Sequence, residues 1–215
     1  MTSVTALFVL TVACYVLASA LFGLDLGRGG AKTESWAVRA LWLATGVHVV
    51  YLCVDYACSG RTPVATVHQT LAVLSLLIVV SFLATMRRHR LPVLGAFITP
   101  MTLLLLLAAG FKGHVAEVPE PVRSVLLPFH ILVNVLGLAA FALAFAVAVA
   151  YVIQEQLLRR RQVGGVFQRL PALDVLDSWG FRLVTIGFPL FTLGVVTGSI
   201  WAARLGNVLE FSTGQ

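Results

Sequence analysis

The chain has 215 residues, of which 59% are hydrophobic and only 11% are charged. Soluble domains carry roughly 45–50% apolar and about 25% charged residues, and a soluble domain of this length could not bury so much apolar surface. The composition therefore excludes disordered, collagen-like and disulfide-scaffold proteins and predicts an integral membrane protein.

Six apolar segments are long enough to cross a bilayer, which takes about 20 helical residues. In chain order, the predicted membrane spans are residues 4–24, 37–56, 64–85, 91–111, 126–153 and 183–203. The intervening segment 154–182 is basic and amphipathic and is compatible with a helix lying on the membrane surface. We therefore predict an all-α, polytopic membrane helix bundle with six transmembrane helices, in which residues 1–215 form a single membrane domain.

The basic residues between the spans predict the orientation. The 15 basic and 9 acidic residues give a formal net charge of +6, a balance that in a soluble protein would suggest nucleic-acid binding. Here eleven of the 15 lie in the loops after spans one, three and five. The positive-inside rule places those loops in the cytoplasm and both termini outside, so both termini are predicted to be extracytoplasmic. The expected partner is the lipid bilayer, with no nucleic acid.

Three histidines are predicted at or near the outer face. His68 and His130 each lie about one helical turn into a span, and His114 lies in the outer loop between spans four and five. Paired histidines on one side of a membrane would suit haem, because its iron takes two axial imidazoles and its propionates bind Arg or Lys. Three basic residues of the outer loops are available for that role, or for ordinary contacts with lipid headgroups: Arg61, Lys112 and Arg123.

Two interpretations of His130 remain open at this point. Asn134 at i+4 and Gly137 at i+7 share its helix face, which leaves room for a flat ligand beside a polar pair. The same face could equally serve to hydrogen-bond a neighbouring helix. On span six, Gly194 and Gly198 form a small-residue face that predicts close helix packing.

A second polar pair lies on span two. His48 is near the middle of the span, and Asp55, seven residues later, shares its face near the outer headgroups. Polar residues inside membrane spans are functional candidates, because central charges cost at least about 2.5–3.5 kcal/mol on insertion scales. This spacing raises the hypothesis of a proton relay between the two residues.

Several motifs resemble one family. The sequence PFHILVN opens span five, and LDVLDSWGFR precedes GFPLFTLG and TGSIWA in span six; GRTP and LGAFITP occur upstream. This pattern resembles the cytochrome c assembly protein family, the CcsA/ResC and HemX-like integral membrane proteins. The corresponding ranges are 128–134, 173–182, 187–194, 197–202, 60–63 and 94–100.

The resemblance implies haem handling at the outer face of the bacterial cytoplasmic (inner) membrane by a multi-pass protein. In synthase members, external histidines hold haem before it is joined to apocytochrome c, and His130 matches the first of these by position. The resemblance thus implies haem as cofactor, His130 as its metal ligand, and other cytochrome c maturation membrane proteins and apocytochrome c as partners. The proposals that His68 or His114 is the second ligand, and that Asn134 and Arg123 help to bind haem, do not come from the family.

The sequence also departs from the synthase pattern, since no tryptophan-rich WxWD segment and no second family histidine occur in it. We therefore expect an accessory component, or one part of a split system, rather than a complete haem lyase. One alternative is a HemX-like membrane regulator of haem biosynthesis that uses the basic loop around 159–169 as its contact surface. The others are a ligand-free scaffold subunit and a small-molecule permease, although no internal repeat supports the last of these.

Overall fold

The computed structural model describes residues 2–60, 66–89, 91–111, 126–162 and 164–213. In these ranges the chain forms six α-helices, and short 3-10 turns precede α4 and α6. The helices are α1 (Thr2–Arg28), α2 (Ala31–Ser59), α3 (Val67–His89), α4 (Gly95–Gly110), α5 (Leu126–Arg159) and α6 (Leu173–Thr213).

All six helices contain stretches long and apolar enough to cross a membrane. The prediction of an all-α protein with six membrane spans is therefore confirmed. The helices extend beyond the predicted spans, most clearly in α6, whose 41 residues reach roughly 60 Å at about 1.5 Å per residue. This length exceeds a hydrocarbon core of about 30 Å, so part of α6 projects from the bilayer.

The described part of segment 154–182 does not contain the separate surface helix that its composition suggested. Helix α5 continues to Arg159, where Glu155 forms an i,i+4 ion pair with Arg159 at 2.7 Å. Helix α6 already begins at Leu173. Leu170 and Leu176 are buried in the core, so the connection between α5 and α6 packs against the bundle and not on a membrane surface.

The helices pack as three consecutive hairpins, α1 with α2, α3 with α4, and α5 with α6. Contacts of α1 with α4 and of α3 with α5 join the hairpins, and α6 packs chiefly on α5. Only 11% of the α6 span is buried, against 44% of the α3 and α4 spans, so most of α6 is available to lipid. The largest fully buried side chains include Tyr15, Phe22, Leu41, Ile78, Phe82, Ile98, Leu106 and Leu176.

Two aromatic side chains, one on α1 and one on α2, form a hydrogen bond in the interior of the bundle. The Tyr15 hydroxyl lies 3.1 Å from Nδ1 of His48, and both side chains are fully buried. Asp55 has a different partner, since its Oδ2 accepts a 3.0 Å hydrogen bond from Nε2 of Gln69 on α3. The structure thus does not support a direct His48–Asp55 relay, because seven residues separate the two groups by roughly 10 Å along the helix axis.

Replacing Tyr15 by phenylalanine should lower the free energy of unfolding by about 1–3 kcal/mol, because Nδ1 of His48 would lose its partner in the apolar interior. Thermal unfolding of the purified protein in detergent measures this effect. Tyr56→Phe is the matched control, since Tyr56 is exposed on the same helix as His48. If both variants unfold at the wild-type temperature, the Tyr15–His48 bond does not stabilise the fold.

Candidate functional site

His130 lies near the beginning of α5 and faces the later part of α6. Its side chain is partly buried, and its Nδ1 atom lies 3.2 Å from the hydroxyl oxygen of Thr197 on α6. Successive membrane crossings alternate in direction, so the beginnings of α3 and α5 lie at the same end of the bundle. The sequence predicts this end to be extracytoplasmic.

Glycines allow α5 and α6 to approach closely along the interface that includes His130 and Thr197. We call this interface the seam. A Cβ atom added at Gly137 would lie 2.7 Å from the backbone nitrogen of Phe191, and one added at Gly187 would lie 3.0 Å from Cβ of Ala140. Real Cβ atoms essentially never make contacts shorter than 3.0 Å. The small-residue face predicted for α6 therefore packs on α5, as helix pairs with glycine at the interface do in membranes.

Nearer the predicted outer end of the bundle, the seam contains the polar side chains of His130 and Asn134. A Cβ atom added at Gly198 would overlap Cε1 of His130 and lie 3.1 Å from each ring nitrogen. A Cβ atom added at Gly194 would overlap the amide of Asn134. The two polar side chains of α5 thus occupy the space left by two missing side chains of α6, and the Cε1 edge of the imidazole faces Gly198.

The Thr197 hydroxyl lies between the His130 ring and two backbone carbonyl groups of α6. It lies 2.8 Å from the carbonyl oxygen of Leu193 and 2.9 Å from that of Gly194, closer than the 3.2 Å to His130. A hydroxyl has one proton to donate, and the shorter contacts with acceptor-only carbonyls claim it. A hydroxyl that donates to one of these carbonyls can accept a hydrogen bond from Nδ1 in the tautomer that carries its proton there. In that tautomer the lone pair of the neutral ring is on Nε2.

The Asn134 side-chain amide packs against the imidazole and lies within hydrogen-bonding distance of both ring nitrogens. Its Nδ2 atom is 3.2 Å from Nδ1 and 3.3 Å from Nε2 of His130, and it donates to the His130 carbonyl oxygen at 3.1 Å. Both ring nitrogens of His130 thus have a polar neighbour within the protein.

Of the three remaining predicted site residues, the structure describes only His68. His68 is in the first turn of α3, at the same end of the bundle as His130. The adjacent Gln69 joins α3 to α2 through Asp55. His114 and Arg123 lie outside the described residues. The structure thus brings together His130 and Asn134 of the predicted set.

Sequence reasoning missed the role of Thr197, because its partner His130 is 67 positions away. A signal was nevertheless present, since Gly194, Thr197 and Gly198 share one helix face by their i,i+3 and i,i+4 spacing. His130, Asn134 and Gly137 share a face on α5 in the same way. Matching these two faces would have paired Thr197 with His130.

The fold defines a multi-pass membrane protein, and the seam adds a histidine held between its last two helices. Comparison with known sequences agrees with this class, because the family described as "Cytochrome C assembly protein" matches residues 64–208. The match covers well over half of the chain and includes α3, α4, α5 and most of α6, with the whole seam. The chain belongs to the cytochrome c assembly protein family.

Relatives with two different names are similar to this chain. Protein HemX of Brevibacillus brevis is 24% identical over 203 residues, which are 94% of this chain and 75% of that protein. Protein HemX of Bacillus subtilis (strain 168) is 26% identical over 89% of this chain and 71% of its own length. Cytochrome c biogenesis protein CcsA of Prochlorococcus marinus (strain MIT 9301) is 26% identical over 83% and 66%, respectively.

Proposed function

We propose that this chain handles haem during cytochrome c maturation, at the outer face of the bacterial cytoplasmic membrane, with Nε2 of His130 as an axial ligand. It would act as an accessory component beside other membrane proteins of the maturation machinery and apocytochrome c. Family membership supports the pathway, and the seam between α5 and α6 supports the ligand.

The contact between Nδ1 of His130 and the Thr197 hydroxyl carries this proposal. Histidines that bind metals almost always donate their other ring N–H to a protein oxygen, which fixes the tautomer and orients the ring. Thr197 provides that oxygen, and Gly198 fixes the ring edge by close packing. The donor chemistry present at His130 therefore fits an iron porphyrin, because neutral imidazole is a common axial ligand of haem iron.

Haem, when bound, would supply an iron centre for ligation and vinyl groups for thioether bonds to a cytochrome. The chain's own part is to hold and orient it. His68 or His114 would provide the second axial imidazole, Asn134 would pack against the ligating ring, and Arg123 would pair with a propionate. Of these, His68 lies at the same end of the bundle as His130 and on α3, which packs against α5.

Haem titration of the purified protein tests this proposal. The wild type should show a saturable shift of the Soret band, and Thr197→Val should weaken binding about 10–100-fold, because the variant cannot accept the Nδ1 proton. Thr197→Ser is the matched control, since it keeps the hydroxyl and should bind almost as the wild type does. No saturable shift with the wild type, or equal affinity for all three proteins, would overturn the assignment.

A second candidate function is regulation of haem biosynthesis, as in the HemX-like alternative. The observation that favours it is how much of each relative aligns with this chain. The alignment covers 75% and 71% of the length of the two HemX proteins but 66% of the length of CcsA. The two functions differ in what deletion of the gene changes. Lost cytochromes c with normal porphyrin precursors support maturation, and altered precursors with normal cytochromes support regulation.

A further inference from the structure

One exposed side of α6 carries a pattern that repeats every seven residues. Small hydroxyl-bearing side chains alternate with apolar ones, at spacings of three and four residues. The hydroxyl positions are Ser178, Thr185, Thr192 and Ser199, and the apolar positions three residues further along are Phe181, Phe188, Val195 and Ala202. This is the spacing of the a and d positions through which two helices interlock in a coiled coil. We call these eight residues the heptad face.

The heptad face is not covered by the described part of the chain. All eight residues are exposed, and the exposed fractions of Phe181 and Phe188 are 73% and 63%. Helix α6 packs chiefly on α5, through a seam in which Gly180, Gly187 and Gly194 repeat every seven residues as well. Because the two repeats have the same length, the seam and the heptad face stay on different sides of α6. The heptad face is therefore open to a second helix along the span.

The hydroxyl groups of the heptad face favour a protein neighbour over lipid. Hydrocarbon chains offer no hydrogen-bond partner, and small residues with hydroxyl groups are enriched where membrane helices pack on one another. Ser178, Thr185 and Ser199 each donate to a backbone carbonyl oxygen about one turn earlier on α6. Their small size lets a second backbone approach, and each oxygen can accept a further hydrogen bond.

Two charged residues beside the heptad face identify the neighbour. Asp177 and Arg182 are both exposed, and in the heptad they occupy a g position and the e position five residues later. In a parallel pair of helices these two positions of opposite chains lie next to each other and form ion pairs. The Arg182 guanidinium lies 6.0 Å from the ring centre of Trp179, and such stacking leaves its N–H donors for a carboxylate. The α6 face is therefore complementary in charge to a second copy of itself.

The membrane provides the parallel arrangement that this pairing needs. Copies of one membrane protein insert with the same orientation, so two copies that meet side by side are related by a two-fold axis along the membrane normal. Their α6 helices are then parallel, and the Asp177–Arg182 pair forms twice. Pro189 lies beside the heptad face, and α6 continues through it to Thr213, so the face is not interrupted.

We propose that two copies of this chain associate through the heptad face, with Asp177 of each copy paired to Arg182 of the other. Each α6 then lies between its own α5 and the α6 of the second copy. This arrangement covers the span of which only 11% is buried within one copy. The association does not depend on haem binding at His130.

A charge exchange in the full-length protein tests the proposal. Asp177→Arg and Arg182→Asp should each weaken association in lipid vesicles about tenfold, because each change turns two attractive contacts into two repulsive ones. The double variant should associate as the wild type does, and a mixture of the two single variants should form mixed dimers. Energy transfer between fluorescently labelled copies measures association. Arg39→Asp is the matched control, since Arg39 is exposed on α2 and lies over Trp36 in a similar way.

Cysteine cross-linking tests which side of α6 is in contact. In a background whose three cysteines, Cys14, Cys53 and Cys58, are replaced by alanine, Thr185→Cys should form a disulfide-linked dimer in membranes. Ile186→Cys is the matched control, since Ile186 is exposed at the same depth on another side of the helix.

A wild-type protein that stays monomeric in vesicles would overturn the proposal, as would equal cross-linking at both positions or at neither. A double charge variant that associates no better than the single variants would also overturn it. Cross-linking of Thr185→Cys only to a different membrane protein would assign the heptad face to that protein and exclude self-association. The wild-type measurement decides the question even if a variant fails to fold.

Discussion

Replacing His130 by alanine should abolish the saturable Soret shift, because the variant loses the imidazole that we assign to the iron. The loss should exceed that for Thr197→Val, which keeps the ring and removes only the acceptor for its Nδ1 proton. Haem titration of the purified variant measures the effect. His89→Ala is the matched control. His89 is the last residue of α3, at the end of the bundle opposite to His130, and its replacement should not affect binding.

Chemical rescue separates lost ligation from lost structure. His130→Gly would leave a space beside Gly198 and Thr197 in which free imidazole can occupy the position of the missing ring. Added imidazole should therefore restore the Soret shift of His130→Gly. An unshifted spectrum at saturating imidazole in a folded variant, or full haem affinity in His130→Ala, would contradict the assignment.

Replacing Gly137 by alanine should have the largest effect on stability among the glycine substitutions considered. The new methyl group would lie 2.7 Å from the backbone nitrogen and 3.0 Å from Cα of Phe191. Backbone atoms cannot move aside by changing rotamer, so α6 would have to shift away from α5. Overpacking of this kind costs about 1–3 kcal/mol, and we expect the unfolding midpoint in detergent to fall accordingly.

The shift of α6 should also change the position of Thr197 and Gly198 relative to His130, because Gly137 lies two helical turns from His130 on the same face of α5. Haem affinity of Gly137→Ala should therefore fall together with stability. Gly46→Ala is the matched control: it is an exposed helical glycine with no atom within 4 Å of an added Cβ. Alanine is favoured over glycine in helices by roughly 0.5–1 kcal/mol, so this variant should be as stable as the wild type or more so. Equal stability of the two variants would refute the close approach of α5 and α6.

The sequence predicted the six spans well, because a membrane helix must be apolar along its whole length and leaves a continuous signal. It also predicted that His130, Asn134 and Gly137 share a helix face, since this follows from helical periodicity alone. The span prediction does not give the ends of α6, because a helix does not have to stop where the bilayer does. Its backbone bonds are satisfied within the helix, so it can continue into water.

Contacts between distant segments could not be predicted in the same way. The contact between His130 and Thr197 and the burial of Asp25 depend on how separate helices pack, which a single sequence does not show directly. Asp25 illustrates the difficulty. From sequence it is an ordinary acidic residue at the end of a span, and only the packing of three connections around it shows that it is buried.

An experimental map of the haem-loaded protein would test the central claim most directly. We expect porphyrin density beside the seam of α5 and α6, continuous with Nε2 of His130, while Nδ1 remains within hydrogen-bonding distance of Thr197. Porphyrin density elsewhere in the bundle, or an imidazole whose Nε2 contacts only protein or lipid in a haem-saturated sample, would contradict the account.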